Sequence, residues 1–124
     1  MTRKRGQRMR KTTKKQFNDF KREFRRIVEV LGLKGYKVYF FHENCNGNYA
    51  DITTNRAGGT TTVRMCAEME NDNYNSFCPI ETGKHEALHL LLCHMTDEAG
   101  GRYTMKVDFE IAEHDVVRRL EKVL

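Results

Sequence analysis

Hydrophobic residues recur along this chain with two different periods. Phe17, Phe20, Phe24, Ile27, Val28 and Leu31 follow one another at three- and four-residue steps, which places them on one face of a helix. Thr12 or Thr13 stands where a capping residue is needed, and Gly32 stands where such a helix ends. Residues 36–43, 49–54 and 60–69 are rich in aromatic and β-branched types and read as three strands. Asn46-Gly47 suits a tight hairpin between the first two, and Ala57-Gly58-Gly59 turns the chain into the third. Residues 70–79 are polar and irregular and read as a loop, with Thr82 a candidate cap for the helix that follows. From about 85 to 95 apolar residues cover nearly every side of a helix, the mark of a buried one. The last segment, 108–124, is amphipathic. At about a hundred degrees per residue, Phe109, Ala112, Val116, Val117, Leu120, Val123 and Leu124 form one stripe. Glu113 falls inside it, Glu110 at its edge and His114 further round, while Arg118, Arg119, Glu121 and Lys122 fall mostly on the wet side. A chain of 124 residues makes one core, and the order of elements predicts a single α+β domain over 13–124.

The buried helix carries His85-Glu86-Ala87-Leu88-His89. Two histidines four apart project from one helix face, one turn above the other, so both imidazoles can reach one metal ion. The glutamate beside them can take a proton from a metal-bound water, the arrangement of a zinc hydrolase. Two histidines and a glutamate inside an apolar helix are costly unless something satisfies them, and zinc does so. A zinc site needs a third protein ligand. His94 lies five residues after His89 and points away from the pair. Leu92 and Met95 stand where the metzincin pattern requires Gly and His. Glu113, a carboxylate at the centre of a packing stripe, is the expected third ligand, with Glu110 and His114 as alternatives.

An H-E-x-x-H helix followed by a glutamate ligand on a later helix resembles the gluzincin branch of zinc metallopeptidases. From about residue 36 to the end, the chain is similar to small, minimal zincin-like proteins of phages and prophages. In these a short sheet precedes an H-E-[AL]-x-H-L-L-L helix, and a glutamate-bearing helix ends the chain. The resemblance implies an N-terminal helix, a small mostly antiparallel sheet, an active-site helix and a C-terminal ligand helix. It implies zinc on His85, His89 and Glu113, and Glu86 as general base in hydrolysis of a protein or peptide substrate. It also implies a strand beside the cleft that pairs with an extended peptide, which chain order assigns to 60–69. One departure stands out. Many gluzincins carry an aspartate four residues after the ligand glutamate, where it orients a zinc-bound histidine. Here that position is Val117, so the partner must come from elsewhere, with Asp108 or Asp97 as candidates.

Charge is unevenly placed. Residues 1–26 hold twelve Lys or Arg against two acidic residues, and the remainder holds ten against fifteen. The basic start, 1–12, reads as a flexible arm. Its Arg3, Lys4, Arg5, Arg8, Arg10 and Lys11 are candidates for contact with nucleic acid or another polyanion. A zinc-stabilised, weakly catalytic module that binds nucleic acid through this start is the alternative to the enzyme. The segment 96–106 reads as a loop over the site, and its Arg102 and Tyr103 are candidate stabilisers of an oxyanion. No apolar run reaches membrane-spanning length, and no signal peptide is visible, so a cytoplasmic protein is expected. Cys45, Cys66, Cys78 and Cys93 form no C-x-x-C pair and are expected to be free thiols.

Overall fold

Helix α1 (Lys14–Val30) begins and ends on chemistry readable in the sequence. Thr13 is its N-cap: the threonine hydroxyl accepts from Gln16 N at 3.1 Å, and the Gln16 side chain accepts from Thr13 N at 2.8 Å. This reciprocal pair satisfies two otherwise orphaned amides. At the other end Gly32 takes φ +69, and Leu33 N donates back to Val28 O at 2.9 Å. Only a residue without Cβ adopts that backbone cheaply. The structure, a computed structural model, describes residues 8–33, 35–45, 49–100 and 106–124. It is an α+β fold of helices and small sheets, as expected.

The main sheet holds β2 (Lys37–Glu43), β3 (Ala50–Asn55) and β4 (Thr60–Cys66) in the order β2-β4-β3. β3 and β4 are antiparallel, joined through the turn expected at 57–59, where Asn55 Oδ1 accepts from Gly58 N at 3.0 Å. β2 runs parallel to β4, with Lys37 opposite Thr60 and Glu43 opposite Cys66. The hairpin expected between the first two strands is therefore absent from the described sheet. β4 occupies the position between them, and Asn46-Gly47 lies outside the described residues. Local turn chemistry cannot report a strand that inserts later in the chain.

A second, two-stranded antiparallel sheet pairs β1 (Met9–Lys11) with β5 (Glu68–Glu70). This shortens the arm expected over 1–12, because residues 9–11 are paired and Thr12 is buried. The Thr12 hydroxyl has one proton, and it lies 2.7 Å from Cys66 O. Donating there, it accepts from Nε2–H of His42 at 2.6 Å. Burial lowers the His42 pKa, which favours the neutral ring that this bond uses. Cys45 and Cys66 are joined in a disulfide between the ends of β2 and β4, which corrects the expectation of four free thiols. Cys78 and Cys93 are free.

The stretch read as a loop contains a short helix, α2 (Asn71–Ser76). Helix α3 (Pro79–Gly100) then starts at Pro79, three residues before the expected cap Thr82, and runs on into the segment read as a loop. Proline suits a first helical position because that amide has no partner to lose. One face of the sheet packs on α1: Phe40 of β2 meets Phe20 and Phe24 edge-on, with centroids 6.5 and 5.4 Å away. Phe20, Phe24, Ile27, Val63, Met65, Ala87 and Leu88 are all fully enclosed. Each large side chain among them contributes about 1.5–3 kcal/mol on burial.

Helix α4 (Lys106–Val123) packs on α3, but rotated from the expected stripe. Val117 and Glu113 are buried, and Phe109 and Leu120 are half-buried, while Ala112, Val116, Val123 and Leu124 are exposed. Among the described residues no helix is long and apolar enough to cross a membrane.

The closest helix contact is at Gly83 of α3. A Cβ there would lie 2.5 Å from Phe20 O and 3.3 Å from Phe24 N, both backbone atoms of α1. Gly83→Ala should destabilise the fold by roughly 1–3 kcal/mol through forced separation of the helices, against a helix-propensity gain of about 1 kcal/mol. Urea unfolding measures the balance, and a net gain in stability would contradict this packing.

Candidate metal centre

The histidine pair is set by the two sides of α3. Gly83, Ala87 and Leu90 share one side by helical period, and the crossing at Gly83 turns that side to α1. His85 and His89 lie on the opposite side. Their Nε2 atoms face each other at 3.0 Å. The neighbouring Nδ1 atoms are engaged by carboxylates of α4: His89 Nδ1 lies 3.3 Å from Glu113 Oε1, and His85 Nδ1 contacts Glu121 Oε1.

This pattern favours one pair of tautomers. An ionised carboxylate only accepts hydrogen bonds, so a neutral ring facing one carries its proton on Nδ1 and leaves Nε2 as a lone pair. Two lone pairs at 3.0 Å repel unless a cation lies between them. Zinc–nitrogen bonds of about 2.0–2.1 Å at a tetrahedral angle separate the nitrogens by about 3.3 Å. The pair therefore fits a metal ion.

Two residues of α4 come forward as a third ligand. The ring nitrogens of His85, His89 and His114 all approach within 4.8 Å of one another. The His114 ring centroid is 4.6 Å from that of His89 and 5.8 Å from that of His85. Glu113, the expected ligand, is buried and stands at the Nδ1 side of His89. Glu110 lines the same cleft. Asp108, expected as an orienting partner, is exposed, and the side chain of Asp97 lies outside the described residues. Glu121, which the helical period put mostly on the wet side, is the carboxylate in contact with His85. Its signal in the sequence was its position, since 113, 117 and 121 are successive turns of one face.

Glu86 is 7 % exposed and has no hydrogen-bond partner among the described residues. Burial raises its pKa to about 8, with the negative charges of Asp51 and Glu121 adding to the effect. The His89 pKa is lowered, first by burial and further by the charges of His85 and His114, while Glu113 opposes the shift. These groups open into a cleft of about 880 Å³ between β3 and the helices α3 and α4, with Tyr49, Asp51 and Ile52 on its strand side. The strand beside the cleft is thus β3. The expected segment 60–69 supplies β4, whose two edges are filled by β2 and β3. Arg102, Tyr103, Arg3, Lys4 and Arg5 lie outside the described residues.

No family model matches the chain, and no curated protein or solved structure matches it.

The sign of the Glu86 shift gives a test on metal-free protein. Folding favours the protonated carboxyl, so this contribution is complete below its ordinary value of 4.5 and is lost as pH rises through about 8. Glu86→Gln mimics the protonated form. Relative to wild type, with a chelator present, it should gain little stability at pH 5 and on the order of a few kcal/mol at pH 8. Urea unfolding at the two pH values reads this, and a constant difference between the proteins would contradict it.

Proposed function

We propose that this chain is a zinc-dependent hydrolase of peptide bonds. The observation that carries the reading is the pair of Nε2 atoms that face each other 3.0 Å apart, beside the buried Glu86. His85, His89 and His114 would hold the ion by convergence of their nitrogens, and Glu113 would fix the His89 ring from its Nδ1 side. A second reading of the third ligand is Glu113 itself, favoured by its burial against the exposure of His114.

When bound, zinc lowers the pKa of water and polarises a carbonyl. Glu86 then has the role of proton carrier: its carboxylate accepts a proton from water and passes it to the leaving amine. A nearby cation favours the ionised form of Glu86, opposing the effect of burial. β3 is an edge strand of the sheet on the cleft wall, so a peptide laid along it would find backbone hydrogen-bonding partners. We also place the protein in the cytoplasm, where the Cys45–Cys66 bond would be exposed to reduction.

Elemental analysis should find about one zinc per chain. His85→Ala and His89→Ala should each abolish binding. His114→Ala should weaken it far more than Glu110→Ala, and a loss confined to Glu113→Ala would assign the third ligand to the carboxylate. Glu86→Gln should keep the metal and lose hydrolysis of an unfolded protein by orders of magnitude, mainly in kcat. Equal turnover by wild type and Glu86→Gln would remove the catalytic reading.

The binding-module reading has its own observation. Lys14, Lys21 and Arg25 fall on one row of α1 by helical period, β1 adds Arg10 and Lys11, and Arg8 directly precedes that strand. Lys21 and Arg25 lie over Phe17 and Phe40 at 4.6 and 4.9 Å. Asp19 and Glu23 of α1 are taken up by Arg22 and Arg26. If nucleic acid binds there, reversing Lys14, Lys21 and Arg25 to Glu should weaken single-stranded DNA binding and reduce the salt slope by about two. Unchanged affinity would exclude this row as the contact surface.

A further inference from the structure

We propose that Glu121 is the positioning residue of the metal centre: its carboxylate holds Nδ1–H of His85 and so presents Nε2 of that ring to the metal. The inference rests on the zinc reading above and adds a residue that the sequence pattern placed elsewhere.

The geometry isolates Glu121 for this work. Its Oε1 contacts His85 Nδ1, and the two side chains are 25 % and 29 % exposed, so the pair lies at the cleft wall and not on open surface. The position that the resemblance assigns to an orienting aspartate is Val117, which is fully enclosed in the packing between α3 and α4. A carboxylate there would be buried among apolar groups. One turn further along α4 the same face reaches His85, and there the chain has Glu121. The other candidate on α4, Asp108, is exposed.

His85 needs such a partner more than His89 does. Glu113 stands at Nδ1 of His89, 3.3 Å away. Glu121 is the one carboxylate that contacts Nδ1 of His85 among the described residues. Without an acceptor at Nδ1 the ring can carry its proton on Nε2, the tautomer whose Nε2 cannot bind a metal, and it can rotate away from the cleft. An acceptor fixes both the proton and the ring plane and makes Nε2 more basic. A glutamate reaches further than an aspartate, which suits a partner displaced by one helical turn.

The test is zinc affinity of the full chain, measured by competition with a chromophoric chelator, for wild type, Glu121→Ala, Glu121→Gln and the exposed neighbour Lys122→Ala. Glu121→Ala should bind zinc about 10–100-fold more weakly. Glu121→Gln, whose amide oxygen still accepts from Nδ1–H, should recover part of the loss. Lys122→Ala should match wild type. Cobalt substitution gives a second readout: the visible absorption of the Glu121→Ala protein should differ in shape, because one imidazole is no longer held. Chelator-treated Glu121→Ala should unfold at the same urea concentration as chelator-treated wild type. Wild-type zinc affinity and an unchanged cobalt spectrum in Glu121→Ala would overturn the assignment. So would a loss of metal-free stability large enough to account for the weaker binding, since Glu121 would then be only structural. A wild-type chain that binds no zinc would instead overturn the metal centre, and this inference with it.

Discussion

The close crossing of α1 over α3 at Gly83 is the constraint on which the site depends. A missing side chain lets the backbone of α1 rest against α3, with the Phe20 carbonyl 2.5 Å from where a Cβ would stand. That contact commits one side of α3 to the core. The opposite side, two residues further on, must then carry His85 and His89 outward to the cleft. The helix is apolar almost all round, so its own pattern gives no preferred face. Contact with a second helix supplies what the pattern lacks.

The polar groups that result are expensive, and the fold spreads their satisfaction over two helices. Glu113 and Glu121 take the inner side of α4 in place of the valines at 116 and 123, which lie exposed. Their gain is a hydrogen bond to each histidine. Glu86 receives no such partner among the described residues, and burial holds its proton. An arrangement in which two imidazoles are held by carboxylates and a third carboxylate is buried beside them does little for stability alone. Departures of that kind collect at functional sites, which is the ground for the hydrolase proposal.

Much of the scaffold was legible because it rests on local chemistry. The α1 helix follows from its period, its Thr13 cap and Gly32. The strands at 36–43, 49–54 and 60–69 were found to within a residue or so, apart from the break that separates β4 from β5. The errors fall where a neighbour decides. Asn46-Gly47 looks like a hairpin turn, yet β4 lies between β2 and β3. Residues 9–11 look like a charged tail, yet β5 gives them a partner. The apolar stripe of α4 put Glu121 on the wet side, yet the packed helix brings it to His85.

The sequence by itself determined the chemistry available to this protein: two histidines and a glutamate on one helix, with Glu113, His114 and Glu110 on another. It did so because helical spacing is a local property and the H-E-x-x-H pattern needs only one turn. The tertiary structure decided which of those groups meet. It brought His114 to the histidine pair, set Glu113 at Nδ1 of His89 and Glu121 at Nδ1 of His85, and made β3 the wall of the cleft. The reason is that the rotation of α4 about its axis is fixed by its packing on α3. A single helix's hydrophobic stripe cannot report that rotation when the groups it buries are themselves polar.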